Sequence, residues 1–382
     1  MKALLLDAEQ QTAHVKNIPI PTPAPNEIRV RVQAIALNPV DSLYVFNPLG
    51  STGRLIGSDF AGVVDTLGEA VSVSDLNVGD RVAGFLQGAC SVNERPGAFA
   101  EYLVCPWDLV WKISSAMRFE DAATVSLCGL TAAQALFFRM GLRAPFGEMT
   151  TTQQLEPREP LACFIYGATT SVGMYAAQLI HAWAKSSGVP IQLFGTASKK
   201  HFAMLKSQPY CYTELVDYHN RDWPAEILQL ADGKGVDYAY DCISEGDTVA
   251  ATSRILKPGG QMAIVRSREG GAWTPGNLAG GVEPSYGAVW EGLGVDVQYQ
   301  GMRLDASRKA RDFAVAYYRW LDGGGMLRPN PVRMMPGGLE GVVEDGFRLL
   351  GSGTMGQRDS GRGENWMRPL SAEKIVYRVG AE

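Results

Sequence analysis

Residues 165–178 read Ile165-Tyr166-Gly167-Ala168-Thr169-Thr170-Ser171-Val172-Gly173-Met174-Tyr175-Ala176-Ala177-Gln178. An apolar run is followed by a small-residue turn and then by apolar residues at helical spacing, which predicts a strand, a turn and a helix. Such a turn points backbone N–H groups and the positive end of the helix dipole outward, and therefore favours a bound phosphate. We expect Gly167 to form the bend and Gly173 to allow close packing. Thr170 and Ser171 replace the usual central glycines, so an ordinary turn is the alternative.

The segment after the next predicted strand, Gly195-Thr196-Ala197-Ser198-Lys199-Lys200-His201, contains no acid. Enzymes that use NAD place a carboxylate there, about 20 residues after the turn, to bind the ribose hydroxyl. Ser198, Lys199 and Lys200 would instead attract a 2′-phosphate through charge-assisted hydrogen bonds. The segment therefore favours NADPH. The alternative is a lysine pair that only solvates a helix start, where the helix dipole disfavours cations.

The order of predicted elements indicates two kinds of domain. Short β-rich runs at 28–32, 62–64, 79–82 and 101–104, separated by turn residues, predict a mostly β, barrel-like first third. A predicted helix at 122–140 follows, and then strands alternate with helices, which is typical of a doubly wound parallel sheet. These strands are predicted at 161–166, 191–196, 213–217, 236–241, 261–265 and 296–299. The Pro-rich segment 143–160 and the Gly-rich segment 351–369 are predicted to be exposed loops.

Composition restricts the function. A chain of 382 residues is expected to form two domains, and a net charge of -5 provides no broad cationic surface for nucleic acid or for an anionic membrane. The N-terminus lacks a secretory pattern, and no uninterrupted apolar stretch reaches the roughly 18 residues that span a bilayer, so we expect a cytoplasmic protein. The six cysteines occur singly, which predicts buried thiols.

Five further motifs occur in order: Asn-Pro-Val-Asp at 38–41, Gly-Ser-Asp-Phe-Ala-Gly at 57–62, Gly-Asp-Arg-Val at 79–82, Gly-Ala-Phe-Ala-Glu-Tyr at 97–102 and Gly-Leu-Thr-Ala-Ala at 129–133. With them the chain resembles the zinc-independent medium-chain dehydrogenases and reductases over nearly its whole length. The resemblance implies an α/β protein with a GroES-like catalytic domain at 1–135 and 305–382 and a Rossmann domain at 136–304. It also implies a nicotinamide cofactor held between them.

The zinc-dependent relatives carry metal ligands in the early motifs, where this chain has Val40, Ser58 and Asp59. No metal is therefore expected. The Thr/Ser-rich turn, the Pro-rich insertion, Asp-Cys-Ile at 241–243 and the closing segment 370–379 make the chain most similar to the stand-alone, trans-acting enoyl reductases of fungal highly reducing polyketide synthases. That resemblance implies a polyketide synthase acyl carrier domain as partner, an enoyl thioester as substrate and a monomeric enzyme.

The resemblance also implies the site residues. The expected NADPH contacts are Val40, Asp41, Ser42, Leu43, Thr169, Thr170, Ser171, Val172, Ser198, Lys199, Lys200, His201, Tyr218, Val265, Arg266, Ser371 and Ala372. The expected acyl pocket comprises Ala132, Ala133, Gln134, Ala135, Leu136, Phe137, Phe138, Arg139, Asp296, Val297, Gln298, Tyr299 and Gln300.

Reduction of an enoyl thioester moves hydride to the β-carbon and leaves negative charge on the carbonyl oxygen, which requires hydrogen-bond donors. Polar residues within or beside the motifs are Ser42, Tyr44, Ser126, Cys128 and Thr131. None has a sequence partner that identifies it as a proton donor, so the structural interpretation is favoured for each, and water or a backbone N–H is the alternative. Two other functions stay open, a reductase of free quinones or 2-alkenals and a non-catalytic NADPH-binding scaffold.

Overall fold

The structure is a computed structural model that describes residues 1–146, 159–299, 301–325, 327–359 and 362–380. The chain forms two compact units. The first, here called the β unit, consists of Met1–Leu127 and Trp290–Glu382. The second, here called the parallel-sheet unit, consists of Cys128–Val289. Both kinds of architecture that the sequence predicts are therefore present.

The strands in chain order are β1 (Lys2–Asp7), β2 (Thr12–Asn17), β3 (Glu27–Ala36), β4 (Asp59–Leu67), β5 (Arg81–Phe85), β6 (Tyr102–Pro106), β7 (Val110–Lys112), β8 (Leu161–Tyr166), β9 (Ile191–Ala197), β10 (Glu214–Asp217), β11 (Val236–Asp241), β12 (Leu256–Ile264), β13 (Ser285–Tyr286), β14 (Val297–Tyr299), β15 (Met302–Leu304), β16 (Val332–Met334) and β17 (Lys374–Arg378). The α-helices are α1 (Pro39–Phe46), α2 (Phe119–Ala122), α3 (Ser126–Ala133), α4 (Ser171–Ser187), α5 (Phe202–Lys206), α6 (Trp223–Leu230), α7 (Thr248–Ser253), α8 (Arg308–Asp322) and α9 (Arg348–Leu350).

The β unit is built around a sheet of order β16-β17-β3-β4-β5-β7, with β6 paired to β3. All pairs are antiparallel except β16 with β17. Apolar residues alternate along β3, so that Ile28, Val30 and Val32 all enter the core. At Gly62 in β4 an added Cβ would lie 2.3 Å from the Arg31 carbonyl oxygen, so the close pairing of β3 and β4 requires glycine.

The parallel-sheet unit has the strand order β10-β9-β8-β11-β12-β13, and every pair is parallel. The chain moves outward from β8 through β9 to β10 and then returns to the other side of β8 at β11. Ligands of such sheets bind beyond the carboxyl ends of the strands at this change of direction. β8 is buried along its centre, as expected for a strand covered on both faces.

The predicted helix at 122–140 is divided in the structure. α2 and α3 are followed by a π-helical segment at Gln134–Arg139. The run Phe119–Arg139 is long and apolar enough to cross a membrane by length and composition, but 83% of an 18-residue window within it is buried in the protein, which is typical of a core helix.

Two expectations about irregular segments need correction. The predicted strand at 296–299 exists as β14, but it pairs antiparallel with β15 in a separate two-stranded sheet of the β unit. The apolar run alone could not show its partner. In the segment 351–369, the described part includes Met367, which is fully buried in the core. The Arg333 guanidinium donates to the carbonyl oxygens of Trp366, Arg368 and Pro369, which holds this end of the loop inward.

Candidate cofactor and substrate site

The turn between β8 and α4 has the backbone that a phosphate-binding turn requires. Gly167 has a positive φ of 77°. At Gly173 an added Cβ would lie 2.5 Å from the Gly167 carbonyl oxygen, so only glycine fits there. Both glycines therefore have the structural roles that the sequence predicts.

The hydroxyl groups of the turn differ in what they do. The Thr170 side chain caps α4 by accepting a hydrogen bond from the Gly173 N–H at 2.9 Å. Thr169 and Ser171 are half-buried beside it. The N–H groups of Ser171 and Val172 belong to the first helical turn, where no carbonyl of the helix can accept from them. They are the donors best placed for an anionic group.

Thr196, at the end of β9, supports the turn from the neighbouring strand. Its hydroxyl accepts from the Gly167 N–H at 3.0 Å, and its carbonyl accepts from the Ala168 N–H at 2.9 Å. Sequence analysis missed this residue. A threonine at the end of the second strand was the only signal, and it has meaning only once β8 and β9 are known to be neighbours.

The residues predicted to bind the 2′-phosphate are gathered at the ends of β9 and β10. These strands are parallel, with Ala197 opposite Asp217, so Ser198 and Tyr218 both follow the same edge. The Ser198 hydroxyl donates to the Tyr218 hydroxyl at 3.3 Å. Lys199 and Lys200 are exposed, and His201 completes the same short 3-10 turn.

An acid does lie at this edge, on the third strand instead of the second. The Asp217 carboxylate accepts from the His219 backbone N–H at 3.1 Å and bonds the His219 ring at 2.7 Å. These hydrogen bonds, with help from the nearby Lys199 charge, hold the pKa of Asp217 below its usual range. The Tyr218 ring stacks on His219 with centroids 4.1 Å apart and is 43% exposed, so it presents an open aromatic face.

Asp241, at the end of β11, shapes the next loop. Its buried carboxylate accepts from the N–H groups of Ile243 and Ser244 and from the Thr248 hydroxyl at 2.6 Å. Burial raises the pKa of Asp241 to about 6. The Ser244 hydroxyl accepts from the Val265 N–H at 3.1 Å.

An ion pair next to the bond between Ser244 and Val265 joins Arg266 to Glu245 at 3.0 Å. The predicted cofactor residues Val265 and Arg266 are thus tied to the loop that follows β11, at the carboxyl edge of the same sheet.

The predicted acyl residues 132–139 lie in the parallel-sheet unit, on the end of α3 and the π-helical segment. Ala132 to Phe137 are buried, and Phe138 and Arg139 are half-buried. The Arg139 guanidinium lies over the Phe138 ring at 5.0 Å. Among the described residues, none pairs with either amide atom of the buried Gln134 side chain. A π-helical segment with an unpaired polar group is a frequent feature of ligand sites.

The predicted nicotinamide residues 40–43 begin α1 in the β unit. Asn38 precedes the helix, and its backbone N–H donates to the Asp41 carboxylate at 2.7 Å. Asp41 also accepts from the Ser58 hydroxyl at 2.8 Å. Burial raises the pKa of Asp41 to about 7. Two of the family motifs thus meet through side-chain hydrogen bonds.

Lys374 completes this arrangement. Its ammonium donates to Asn38 Oδ1 at 2.9 Å and to Asp59 Oδ2 at 2.7 Å, and both ionic side chains are buried. We call Asn38, Asp41, Ser58, Asp59 and Lys374 the buried polar cluster. In the described part of the chain, no group of three or more His, Cys, Asp or Glu side chains is arranged to hold a metal. The absence of zinc stays a prediction.

Two of the polar candidates for proton transfer are occupied by structural bonds. The Ser42 hydroxyl donates to the Gly351 carbonyl at 2.7 Å, and Ser126 accepts from the Trp111 indole at 3.1 Å. Tyr44 packs against Tyr299 with ring centroids 5.6 Å apart. Cys128 is buried. Thr131 is half-buried.

The remaining predicted residues also fall in the β unit. Ser371 and Ala372 precede β17, with Ala372 at a positive φ of 56°. Val297 and Tyr299 are buried, Asp296 and Gln298 are exposed, and Gln300 lies outside the described residues. The structure therefore places Tyr299 beside α1 in the β unit. The other residues predicted to contact the acyl chain, 132–139, belong to the parallel-sheet unit.

Comparison with known protein families gives one match in the β unit and one in the parallel-sheet unit. Residues 24–115 match the alcohol dehydrogenase GroES-like domain, and residues 171–274 match the zinc-binding dehydrogenase domain. The chain is 34% identical to trans-enoyl reductase ACTTS2 of Alternaria alternata over 65% of this chain and 67% of the relative. It is 30% identical to trans-enoyl reductase RAP2 of Pyricularia oryzae over 86% and 88%.

The chain belongs to the trans-enoyl reductases of the medium-chain dehydrogenase/reductase family. This membership confirms the predicted family and the predicted enzyme class, an enoyl reductase. It leaves the partner synthase and the choice of NADPH over NADH as predictions.

Solved structures support the fold of this trans-enoyl reductase. The CurK enoyl reductase matches with a TM-score of 0.67 at 17% identity, and a Pseudomonas syringae quinone oxidoreductase matches with 0.66 at 20%, each over 99% of both chains. A mycobacterial protein solved with NADPH matches with a TM-score of 0.65 at 19% identity over 99% of this chain and 100% of that one. The predicted fold class is confirmed, and the protein has the fold of a nicotinamide-cofactor enzyme.

Proposed function

We propose that this trans-enoyl reductase uses NADPH to reduce the α,β-double bond of a polyketide thioester carried by the acyl carrier domain of a separate synthase. The observation that supports this proposal best is the carboxyl edge of the parallel sheet. There the turn between β8 and α4, which is expected to bind phosphate, lies on the strand next to the one that leads to Ser198, Lys199 and Lys200, and Tyr218 follows the third strand. The names of the relatives support enoyl reduction, and the resemblance to fungal enzymes supports the polyketide partner.

The residues at this edge fit a dinucleotide with a 2′-phosphate. An added Cβ at Gly173 would clash with the turn backbone, so glycine allows the turn to pack closely on the start of the helix. The first-turn N–H groups after Thr170 suit the pyrophosphate. β9 ends without an acid and is followed by the exposed ammonium groups of Lys199 and Lys200. These groups and the Tyr218 hydroxyl are suited to hydrogen-bond the adenosine phosphate.

In the proposed mechanism the bound NADPH supplies hydride for the β-carbon of the thioester. Thr169 to Val172 hold its pyrophosphate, Ser198 to His201 with Tyr218 hold its 2′-phosphate, and Val265 and Arg266 border the same edge. We further propose that Val40 to Leu43, with Ser371 and Ala372, contact the nicotinamide half. These contacts orient the reacting groups, which lowers the entropic part of the barrier.

The acyl chain is proposed to contact residues 132–139 and 296–300. Their character suits a hydrocarbon chain, since Leu136, Phe137 and Tyr299 are apolar or aromatic and buried. A substrate tethered to a carrier reaches a high effective concentration at the enzyme, so that weak affinity for the free thioester is sufficient. Changes of side-chain volume at 132–139 are therefore expected to alter the preferred chain length.

The experiment is a turnover comparison under saturating NADPH. A short quinone, a free enoyl pantetheine thioester and the same enoyl group on a carrier domain are each supplied at equal concentration. We expect kcat/KM to rise in that order. If the quinone is reduced fastest by a wide margin, the enzyme is a reductase of free quinones or alkenals. If none of the three is reduced, only the cofactor-binding scaffold remains.

A further inference from the structure

Gln87 is a buried polar residue that the cofactor site does not explain. It follows β5 in the β unit and is 1% exposed. Among the described residues, no hydrogen-bond partner reaches its amide nitrogen or its amide oxygen. The equally buried side chains of Asn38 and Lys374 are both hydrogen-bonded. A buried amide without a partner is destabilising, so it calls for an explanation such as a catalytic role or a molecule that completes its hydrogen bonds.

The segment that carries Gln87 is fixed against α1. The Leu86 N–H donates to the Ser58 carbonyl at 3.0 Å, and the Cys90 N–H donates to the Gln87 carbonyl at 3.3 Å. The Cys90 thiol lies 3.8 Å from the Val40 carbonyl oxygen. The turn at 87–90 therefore packs against the first residues of α1, which are the proposed nicotinamide contacts. Gln87 is held near this segment by backbone bonds that do not use its side chain.

A row of aromatic rings begins two residues before Gln87. Phe85 packs on Trp290 with centroids 5.7 Å apart, Trp290 lies 6.5 Å from Tyr299, and Tyr299 lies 5.6 Å from Tyr44. All four rings are buried, and they connect the end of β5 with α1 and β14. Such rings suit the hydrocarbon part of an acyl chain, and the Tyr44 and Tyr299 hydroxyls are further hydrogen-bond donors in the same row.

We propose that the Gln87 amide N–H binds the carbonyl oxygen of the enoyl thioester and stabilises the enolate formed during reduction. The inference rests on the proposed function. Hydride adds to the β-carbon, the electron pair of the double bond moves through the α-carbon onto the carbonyl oxygen, and NADPH becomes NADP⁺. The enolate then collapses as its α-carbon takes a proton from water, which restores the carbonyl. Gln87 holds the oxygen throughout and transfers no proton.

An amide suits this role because it donates without titrating, so its effect is the same at every working pH. The Ser42 and Ser126 hydroxyls are less suitable, because their bonds to Gly351 and Trp111 hold them in the protein framework. A donor aimed at an oxygen that gains charge acts mainly in the transition state, and removal of one such donor typically lowers kcat by about 100- to 1,000-fold.

The test compares Gln87→Leu and Gln87→Met with a matched control, Gln33→Leu, on β3 of the same unit. Three quantities are measured: kcat and KM for crotonyl pantetheine with NADPH, the affinity for acetoacetyl pantetheine measured by calorimetry, and the unfolding midpoint in urea. We expect both Gln87 variants to lose at least tenfold in kcat with a smaller change in KM, and to bind acetoacetyl pantetheine more weakly. We also expect an unfolding midpoint equal to or above that of the parent, because an unpaired buried amide has been removed.

Wild-type kcat in either variant, or unchanged affinity for acetoacetyl pantetheine, overturns the role of Gln87. Failure of both variants to fold also overturns it, because the amide would then be structural. If the parent reduces no enoyl thioester, the proposed function fails by itself, and the calorimetric arm still decides whether Gln87 contacts the thioester oxygen. The Gln33 control is expected to match the parent in all three measurements.

Discussion

The carboxyl edge of the parallel sheet and the buried polar cluster of the β unit differ in whether their charged side chains are exposed or buried. At the sheet edge, Lys199 and Lys200 are exposed, and the strand they follow ends without an acid. In the cluster, Lys374 and Asp59 are buried and satisfy each other at 2.7 Å. The charges at the sheet edge are open to solvent, whereas those of the cluster are used within the protein.

The buried polar cluster includes motif residues where zinc-dependent relatives carry metal ligands, and the absence of zinc from this protein stays a prediction. The resemblance implies that Val40, Ser58 and Asp59 stand where the metal-dependent relatives carry zinc ligands. The phosphate turn keeps its backbone, with hydroxyl residues in place of glycine. Side-chain substitution can change the buried polar cluster completely, whereas a site made of backbone N–H groups tolerates it.

The largest expected effect is on the cluster. Replacing Lys374 with methionine leaves the buried Asp59 charge without its partner, which should lower the free energy of unfolding by about 3–5 kcal/mol. Urea denaturation of the variant and the parent measures this difference in the free energy of unfolding. The control is Lys2→Met, because the ion pair of Lys2 with Glu340 is exposed, and this variant should unfold close to the parent. Equal stability of the two variants would contradict a structural role for the cluster.

At the sheet edge we expect substitutions to weaken cofactor binding and to leave the free energy of unfolding unchanged. The double variant Lys199→Ala, Lys200→Ala loses charge-assisted contacts worth about 1.5–3 kcal/mol each, so NADPH affinity should fall at least tenfold. NADH affinity and the unfolding midpoint should stay near those of the parent. Fluorescence titration of both cofactors tests this. A parent that binds NADPH and NADH equally well would show that the lysines only solvate the turn.

The cluster should also make stability depend on pH. The folded-state pKa of Asp41 is raised from 3.8 to about 7, so its contribution to stability is complete below about pH 4 and is lost as pH rises through about 7. The free energy of unfolding should therefore decline toward neutral pH by at most about 1.4 kcal/mol per pH unit for this proton. Asp41→Asn should flatten this decline, and Asp75→Asn, at an exposed position, should keep it. The same slope in all three proteins would assign the dependence to other groups.

The smallest expected effect concerns the cap of α4. Thr170→Ala removes the acceptor for the Gly173 N–H and should lower the free energy of unfolding by about 1 kcal/mol. NADPH affinity should fall modestly, since the turn loses its anchor. Ser186→Ala at the other end of the helix is the control, because its hydroxyl donates only to the Trp183 carbonyl. Thermal unfolding of the two variants separates a cap effect from a general loss of helix stability.

Local patterns were sufficient for much of the fold. The apolar run at 161–166, Gly167, Gly173 and the helical spacing after them predicted β8, the turn and α4, because turn and helix geometry depend on neighbouring residues. The pattern at 296–299 predicted a strand but not its partner, since register with β15 depends on pairing between segments. Likewise, Met367 lies in a Gly-rich stretch whose composition gave no sign that Arg333 would hold it inward.

The sequence by itself determined the two architectures, the phosphate turn, the lysines after β9 and the family motifs, because each rests on residues close together along the chain. Only the tertiary structure decided which polar residues are already bonded and which are not. Asp59 and Lys374 are 315 residues apart in the chain yet form one buried pair, and Gln87 has no hydrogen-bond partner among the described residues because of what surrounds it. Burial and hydrogen bonding depend on segments brought together by folding, so no local pattern could have distinguished the polar groups that are hydrogen-bonded within the protein from those that are not.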